Sequence, residues 1–102
     1  MPCFHYKLLG PRPTFPRDIT PDERAMMARH VAYWKEFFKD DSLLVFGPVA
    51  DPRGAYGIAI IAVPTEADAR HRADNDPAIL AGTGFTYELH PMGAITKNDA
   101  VT

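Results

Sequence analysis

The pattern of apolar and polar residues predicts four β-strands along this chain. Residues 3–9, CFHYKLL, alternate with a period of two, as a strand with one buried face does. Residues 43–49 predict a second strand, and residues 84–90 alternate again to predict a fourth. Residues 56–63, YGIAIIAV, predict a third strand that is apolar on both faces. A strand of this kind needs cover on both sides, and a second subunit is an economical cover for one of them.

A long helix is predicted between the first two strands, over residues 20–39. Its start is well marked, because Thr20 can act as N-cap, Pro21 suits the first helical position and Glu23 can complete a capping box. Methionine and aromatic residues then recur at helical spacing, as on a helix that packs on a sheet. His30 falls on the same apolar face.

Two further helical segments are predicted between the third and fourth strands. The first begins at Pro64-Thr65, and its alanines allow close approach to a sheet. The second is short, because Asp76 precedes a proline and therefore avoids the helical conformation, while Pro77 suits the first helical position. Asp76 is thus predicted to be an N-cap, and Gly82 to end the segment.

The order of these elements predicts the fold. It is β-α-β-β-α-β, the split βαβ arrangement of ferredoxin-like α+β folds. Residues 10–19 contain three prolines and are predicted to form a long loop. We expect one ferredoxin-like domain over residues 1–92 and a C-terminal tail over residues 93–102.

Composition narrows the classes of partner. The formal net charge is -2 with the two signs intermixed, which disfavours nucleic acid and anionic membranes as partners. No apolar run is long enough to span a membrane, and the single cysteine, Cys3, agrees with a reducing compartment, so we expect a cytoplasmic protein. The histidines are scattered and no cofactor motif is present, so neither a metal site nor a cofactor is predicted.

Two residues are candidates for chemistry on the basis of their local setting. A capping aspartate such as Asp76 uses one oxygen on backbone N–H groups and keeps the other for a second partner. A histidine on an apolar helix face, such as His30, can act in proton transfer. Each also has a purely structural interpretation, Asp76 as a cap and His30 as a hydrogen-bonded core residue. Arg12, in the proline-rich loop, is a candidate for holding an anionic group.

Three segments of the sequence resemble the YCII-related family of small bacterial proteins. They are PRPTFPRDITPDERAMMARHVAYW, GPVADPRGAYGIAI and DNDPAILAGTGFTYELHPM, and with their spacing they cover the chain from about Phe4 to Met92. The sequence departs from the family in the turn Asp40-Asp41-Ser42, where glycine is common.

The resemblance implies a ferredoxin-like protomer that pairs sheet to sheet into a dimeric αβ barrel, as a homodimer or a higher oligomer. It also implies an active-site pair of His30 and Asp76. Most members have no assigned reaction; a relative in chloroaromatic degradation is a dehydrochlorinase, and muconolactone isomerases share the dimeric barrel.

We therefore expect an enzyme that transfers protons within a small polar or anionic organic substrate, by isomerisation or elimination, with Asp76 fixing the tautomer of His30. The residues predicted to contact the substrate are Arg12, Tyr33, Trp34, Gly47 and Pro48. The alternative is a dimeric module that binds a small metabolite or a protein partner without catalysis. Haem chemistry occurs in related barrels, but no histidine here is singled out as an axial ligand.

Overall fold

The computed structural model describes residues 1–96, which form a four-stranded antiparallel sheet with helices packed on one face. The strands lie in the order β2-β3-β1-β4, and each neighbouring pair is antiparallel. The elements are β1 (Cys3–Leu9), α1 (Pro21–Lys35), β2 (Leu43–Val49), β3 (Tyr56–Ala62), α2 (Glu66–Asp74), α3 (Pro77–Leu80) and β4 (Thr86–Met92). The predicted ferredoxin-like α+β fold is confirmed.

β1 lies at the centre of the sheet and sets the orientation of both faces. Its alternate residues Phe4, Tyr6 and Leu8 are buried in the core beneath the helices. His5 and Lys7 point to the opposite face, where they align with residues of β3 and β4. The period of two in the sequence therefore separates a helix-covered face from an uncovered one.

The start of α1 agrees with its sequence signal. The Thr20 hydroxyl accepts the Glu23 N–H at 3.1 Å, and the Glu23 carboxylate accepts the Thr20 N–H at 2.9 Å, which completes a capping box. The end of the helix was predicted at about Lys39, which is too late. α1 ends at Lys35, and a 3-10 turn over Glu36–Phe38 follows. Such tighter turns are common at the ends of α-helices.

The turn before β2 contains a residue in a backbone conformation that favours glycine. Asp41 adopts a φ of 62°, in the left-handed region that aspartate tolerates better than most residues. The side chain of Asp40 accepts the backbone N–H of Ser42 at 3.0 Å, an interaction that stabilises the same turn.

β4 differs from its predicted bounds of residues 84–90. Gly84 has a φ of 107° and therefore belongs to the preceding turn, so the strand begins at Thr86. At the other end it continues through Pro91 to Met92. Proline is tolerated there because β4 is an edge strand, hydrogen-bonded only to β1.

The predicted tail is only partly described. Residues 93–96 form no helix or strand, and residues 97–102 lie outside the described part of the chain. The division into a domain over residues 1–92 and a tail stays a prediction. Within residues 1–96, every helix is too short or too polar to cross a lipid bilayer.

Candidate active site

The candidate site is built around the carboxylate of Asp76, which lies between α2 and α3. Asp76 has extended backbone angles, φ -60° and ψ 128°, and Pro77 takes the first position of α3. One carboxylate oxygen accepts the backbone N–H of Ala78 at 2.8 Å, so the predicted N-cap is present. The residue is completely buried, which is rare for an aspartate and requires further partners.

Three side chains donate hydrogen bonds to this buried carboxylate. Nδ1 of His30 lies 2.9 and 2.8 Å from its two oxygens. Nε1 of Trp34 and the hydroxyl of Tyr6 each donate to Oδ2 at 2.7 Å. With the N–H of Ala78, the ionised carboxylate therefore accepts from four donors, within the capacity of its two oxygens.

The fold brings these donors together from distant parts of the chain. His30 and Trp34 are one helical turn apart on α1 and lie on the same buried face. Tyr6 comes from the centre of β1, and its ring lies 4.9 Å from that of Trp34, centroid to centroid. Asp76 is thus held where α1, β1 and the start of α3 meet.

The surroundings of Asp76 keep it ionised. Burial raises the pKa of Asp76, but the hydrogen bond and charge of His30, with the hydrogen bonds from Trp34 and Tyr6, lower it to below its usual range. The pKa of the Tyr6 hydroxyl is raised, first by burial and then by the negative charge of Asp76. Tyr6 therefore remains a neutral donor to a charged acceptor.

His30 presents its second ring nitrogen to a cavity. Because Nδ1 donates to Asp76, Nε2 of the neutral ring is a free acceptor. Among residues 1–96 every fully buried side-chain nitrogen or oxygen has a hydrogen-bond partner, and the hydrogen bonds of the His30 ring are made by Nδ1, so Nε2 is not fully buried. His30 lines a cavity of about 240 Å³, so Nε2 is open to that space.

The cavity lies between α1, the loop of residues 10–19 and one end of the sheet. Met27, His30 and Val31 contribute from α1, and Phe15 closes it from the loop. The ring of Phe15 packs edge-on against Phe85 at 5.1 Å between centroids. The proline-rich loop therefore forms one wall of the cavity.

Of the residues predicted to contact a substrate, Gly47 and Pro48 line the cavity. Tyr33 and Trp34 do not line it, and their contact with a substrate stays a prediction. Trp34 is completely buried and donates to Asp76, and the hydroxyl of Tyr33 donates to the backbone carbonyl of Arg72 at 2.9 Å. Their aromatic rings are part of the core that supports the site.

Arg12 is also engaged elsewhere. Its guanidinium donates to the Glu23 carboxylate at 2.6 and 2.7 Å and to the Asp18 carboxylate at 2.9 and 3.0 Å. These contacts hold the pKa of Asp18 and of Glu23 at about 2. Arg12 does not line the cavity that contains His30, so its predicted role in holding an anionic ligand there is not supported by its position.

Sequence reasoning missed the contribution of Tyr6. The alternation of residues 3–9 places Tyr6 on one face of β1 with Phe4 and Leu8, but it gives the hydroxyl no role. A signal was available, since a buried tyrosine hydroxyl usually has a hydrogen-bond partner. Nothing in the local sequence, however, indicates that this partner is a residue seventy positions away.

The fold and the site define a class of protein: a small ferredoxin-like α+β domain with a buried histidine–carboxylate pair beside a largely apolar cavity. The sequence profile of the YCII-related domain matches residues 11–93, and the chain belongs to that family. No curated protein matches the sequence. Within residues 1–96, no three side chains of His, Cys, Asp or Glu come together as a metal site.

We predict that three substitutions at and around Asp76 differ in how much unfolding free energy they cost, because some of the lost hydrogen bonds involve a charged group and others do not. Tyr6→Phe removes a donor to a carboxylate and should cost about 1.5–3 kcal/mol of unfolding free energy. Tyr33→Phe removes a donor to a neutral carbonyl and should cost only about 0.5–1.5 kcal/mol. Asp76→Asn should cost most, about 3–5 kcal/mol, because its amide hydrogens would face other donors. Urea denaturation at neutral pH measures all three; equal losses for the two tyrosine variants would contradict this ranking.

The lowered pKa of Asp76 predicts a loss of stability in acid. Its pKa lies below the unfolded value of about 3.9, so its contribution is complete above that value and is lost as the pH falls towards the folded pKa. Asp18 and Glu23 contribute in the same direction. The contribution of Asp76 to the pH dependence is the difference in unfolding free energy between the wild type and Asp76→Asn, since Asp18 and Glu23 are common to both. Urea denaturation from neutral pH to about pH 3 should show the two curves converging, and parallel curves would contradict the assignment.

Proposed function

We propose that this protein is a cofactor-independent enzyme that uses His30 and Asp76 to move a proton within a small organic molecule, by isomerisation or elimination. The observation that carries the proposal is the geometry of His30. One ring nitrogen is bound to a buried carboxylate, while the other is open to a cavity large enough for a small molecule. A histidine held in this way can act as a base and then as an acid.

The proposed proton transfer proceeds in two steps. Nε2 of neutral His30 takes a proton from a carbon or oxygen of the substrate, and the electron pair of the broken bond stays on the substrate. The resulting imidazolium is stabilised by the carboxylate of Asp76, 2.8 Å from Nδ1. In an isomerisation, Nε2 then returns the proton to another atom of the substrate. In an elimination, the electron pair left on the substrate forms a double bond, the bond to the leaving group breaks, and the leaving group departs with that bond's electron pair and takes the proton from Nε2.

The contacts of Asp76 suit it to orient His30 rather than to accept the proton itself. Tyr6, Trp34 and Ala78 donate to the carboxylate and favour its ionised form. An ionised carboxylate at Nδ1 keeps the proton on that nitrogen and leaves Nε2 as the acceptor. Asp76 is therefore a positioning residue in this proposal, and His30 is the catalytic one.

A binding module without catalysis is the competing proposal, and the cavity supports it equally. The two differ in whether bound molecules exchange protons. A module would bind a ligand beside His30 and leave its C–H bonds intact, whereas an enzyme would accelerate exchange of an activated C–H proton with solvent.

We predict that the protein catalyses hydrogen–deuterium exchange in a panel of cyclic ketones and unsaturated lactones dissolved in D₂O. For any compound that the wild type accelerates, His30→Gln should reduce the rate by at least about a hundredfold, the usual contribution of a general base. Proton NMR of the compound follows the exchange.

The matched control is His71→Gln, which alters an exposed histidine on α2 and should leave the rate unchanged. Circular dichroism establishes that both variants are folded. An accelerated exchange that survives in His30→Gln would contradict the proposed role of His30, and a panel with no accelerated compound would favour the binding module.

We also propose that the protein forms a homodimer through the uncovered face of its sheet. Ile58 and Ile60 point to this face and are half-buried, and Val45, aligned with Ile60 on β2, is 53% exposed. Together they form an apolar strip on a face that no helix of the described chain covers. A second copy of the same face would bury it.

We predict that Val45→Glu weakens this association without unfolding the protomer, because the new charge is solvated in the monomer and buried in the dimer. Sedimentation at micromolar concentration should give about twice the chain mass for the wild type and the chain mass for the variant. Leu80→Glu is the control, since Leu80 is also exposed but lies on α3, away from the sheet. A wild type that sediments as a monomer would remove the proposed dimer.

A further inference from the structure

We infer that the cavity beside His30 takes a neutral, largely apolar molecule with one ring, whose single hydrogen-bonding group is directed at Nε2. The inference rests on the proposed function, since it names the substrate class of the same site. It departs from the expectation, based on sequence alone, of a polar or anionic substrate.

The lining of the cavity is the first argument. Aliphatic and aromatic side chains form most of its wall, among them Leu8, Phe15, Met27, Val31 and Phe46. The titratable side chains in the lining are His30 and Tyr56, and none is a lysine, arginine, aspartate or glutamate. A ligand therefore meets apolar surface over most of its area, with few polar groups to fix its orientation.

The charge balance beside the cavity is the second argument. If His30 is protonated, its positive charge is already matched by Asp76 at 2.8 Å. An anionic ligand would then bring a further negative charge into an apolar space with no lysine or arginine in its wall. Arg12 cannot supply that charge without giving up its contacts with Asp18 and Glu23.

A neutral ligand avoids this cost. It enters uncharged, and it becomes an anion only when its proton moves to Nε2. The new imidazolium then lies directly beside the new anion, and the net charge of the site does not change. Proton transfer is thus the one step at which charge develops, and it develops next to its counter-charge.

The size of the cavity is the third argument. Its volume of about 240 Å³ is below the roughly 300–1,000 Å³ usual for sites of drug-sized ligands. An engineered apolar cavity of about 150 Å³ holds benzene. The space here therefore suits one ring with one or two small substituents.

Phenol and benzoate are the probes that test this inference. They share a ring and are similar in size, but at neutral pH phenol is neutral and benzoate is an anion. We expect phenol to bind saturably and benzoate to bind at least about tenfold more weakly, because its charge is desolvated without a partner. NMR titration of ¹⁵N-labelled protein measures both affinities, and phenol should also shift the Nε2 resonance of His30.

A variant that fills the cavity tests whether phenol binds there. A Cβ added at Gly57 would lie 3.7 Å from Cβ of Leu8, an ordinary contact, and Gly57 lines the cavity. Gly57→Ala should therefore fold and weaken phenol binding, and Gly57→Val, which adds two further methyl groups, should weaken it at least about tenfold. Thr86→Val, at an exposed position of β4, introduces the same side chain and should leave binding unchanged.

Several results would overturn the inference. Benzoate binding as tight as phenol, or no phenol binding at all, removes the substrate class. If phenol binds without shifting the Nε2 resonance, or still binds to Gly57→Val, its binding site lies outside the cavity.

These failures are separate from a failure of the proposed function. If a charged compound undergoes His30-dependent exchange, the proton-transfer proposal stands and only the substrate class falls. If phenol binds as expected but no compound exchanges, the cavity keeps its ligand class and the enzyme proposal falls.

Discussion

The buried carboxylate of Asp76 is the constraint on which the rest of this structure depends. A charge in a protein interior is tolerated only when enough donors surround it, and here the donors come from β1, from α1 and from the start of α3. The hydrogen bonds to Tyr6, His30 and Trp34 therefore fix how the long helix lies on the central strand. Geometry at the candidate site and packing of the core are the same set of contacts.

This overlap has a consequence for how the site can work. Nδ1 of His30 is fixed by the interaction that stabilises the fold, so in the proposed reaction the ring would need no rearrangement before Nε2 meets a ligand. A preorganised base avoids the cost of orienting itself during the reaction. The same overlap makes structural and functional roles hard to separate by mutating Asp76 alone. His30 is the more informative position, because one of its nitrogens belongs to the core and the other to the cavity.

The sequence predicted the features that form between neighbouring residues. It did not predict, from local patterns, the contacts between residues far apart in the chain. The capping box at Thr20 and the cap at Asp76 were found because both form within a few residues. The pairing of His30 with Asp76 came from family resemblance, since no local pattern joins positions forty-six residues apart. Helical spacing identified the buried face that carries Trp34 without saying which residues of a helix reach a cavity, and neither Tyr33 nor Trp34 lines the one beside His30.

Arg12 shows how charge is arranged around the cavity. Its partners are Asp18, at the far end of the same loop, and Glu23, in the first turn of α1, so the guanidinium fastens the loop to the helix. Phe15 lies between Arg12 and Asp18 in the sequence and forms part of the cavity wall. Arg12 and Asp18 of the loop are therefore paired outside the cavity, while the ring of Phe15 lines the inside. In apolar surroundings of this kind the attraction between an imidazolium and a carboxylate is stronger than in water.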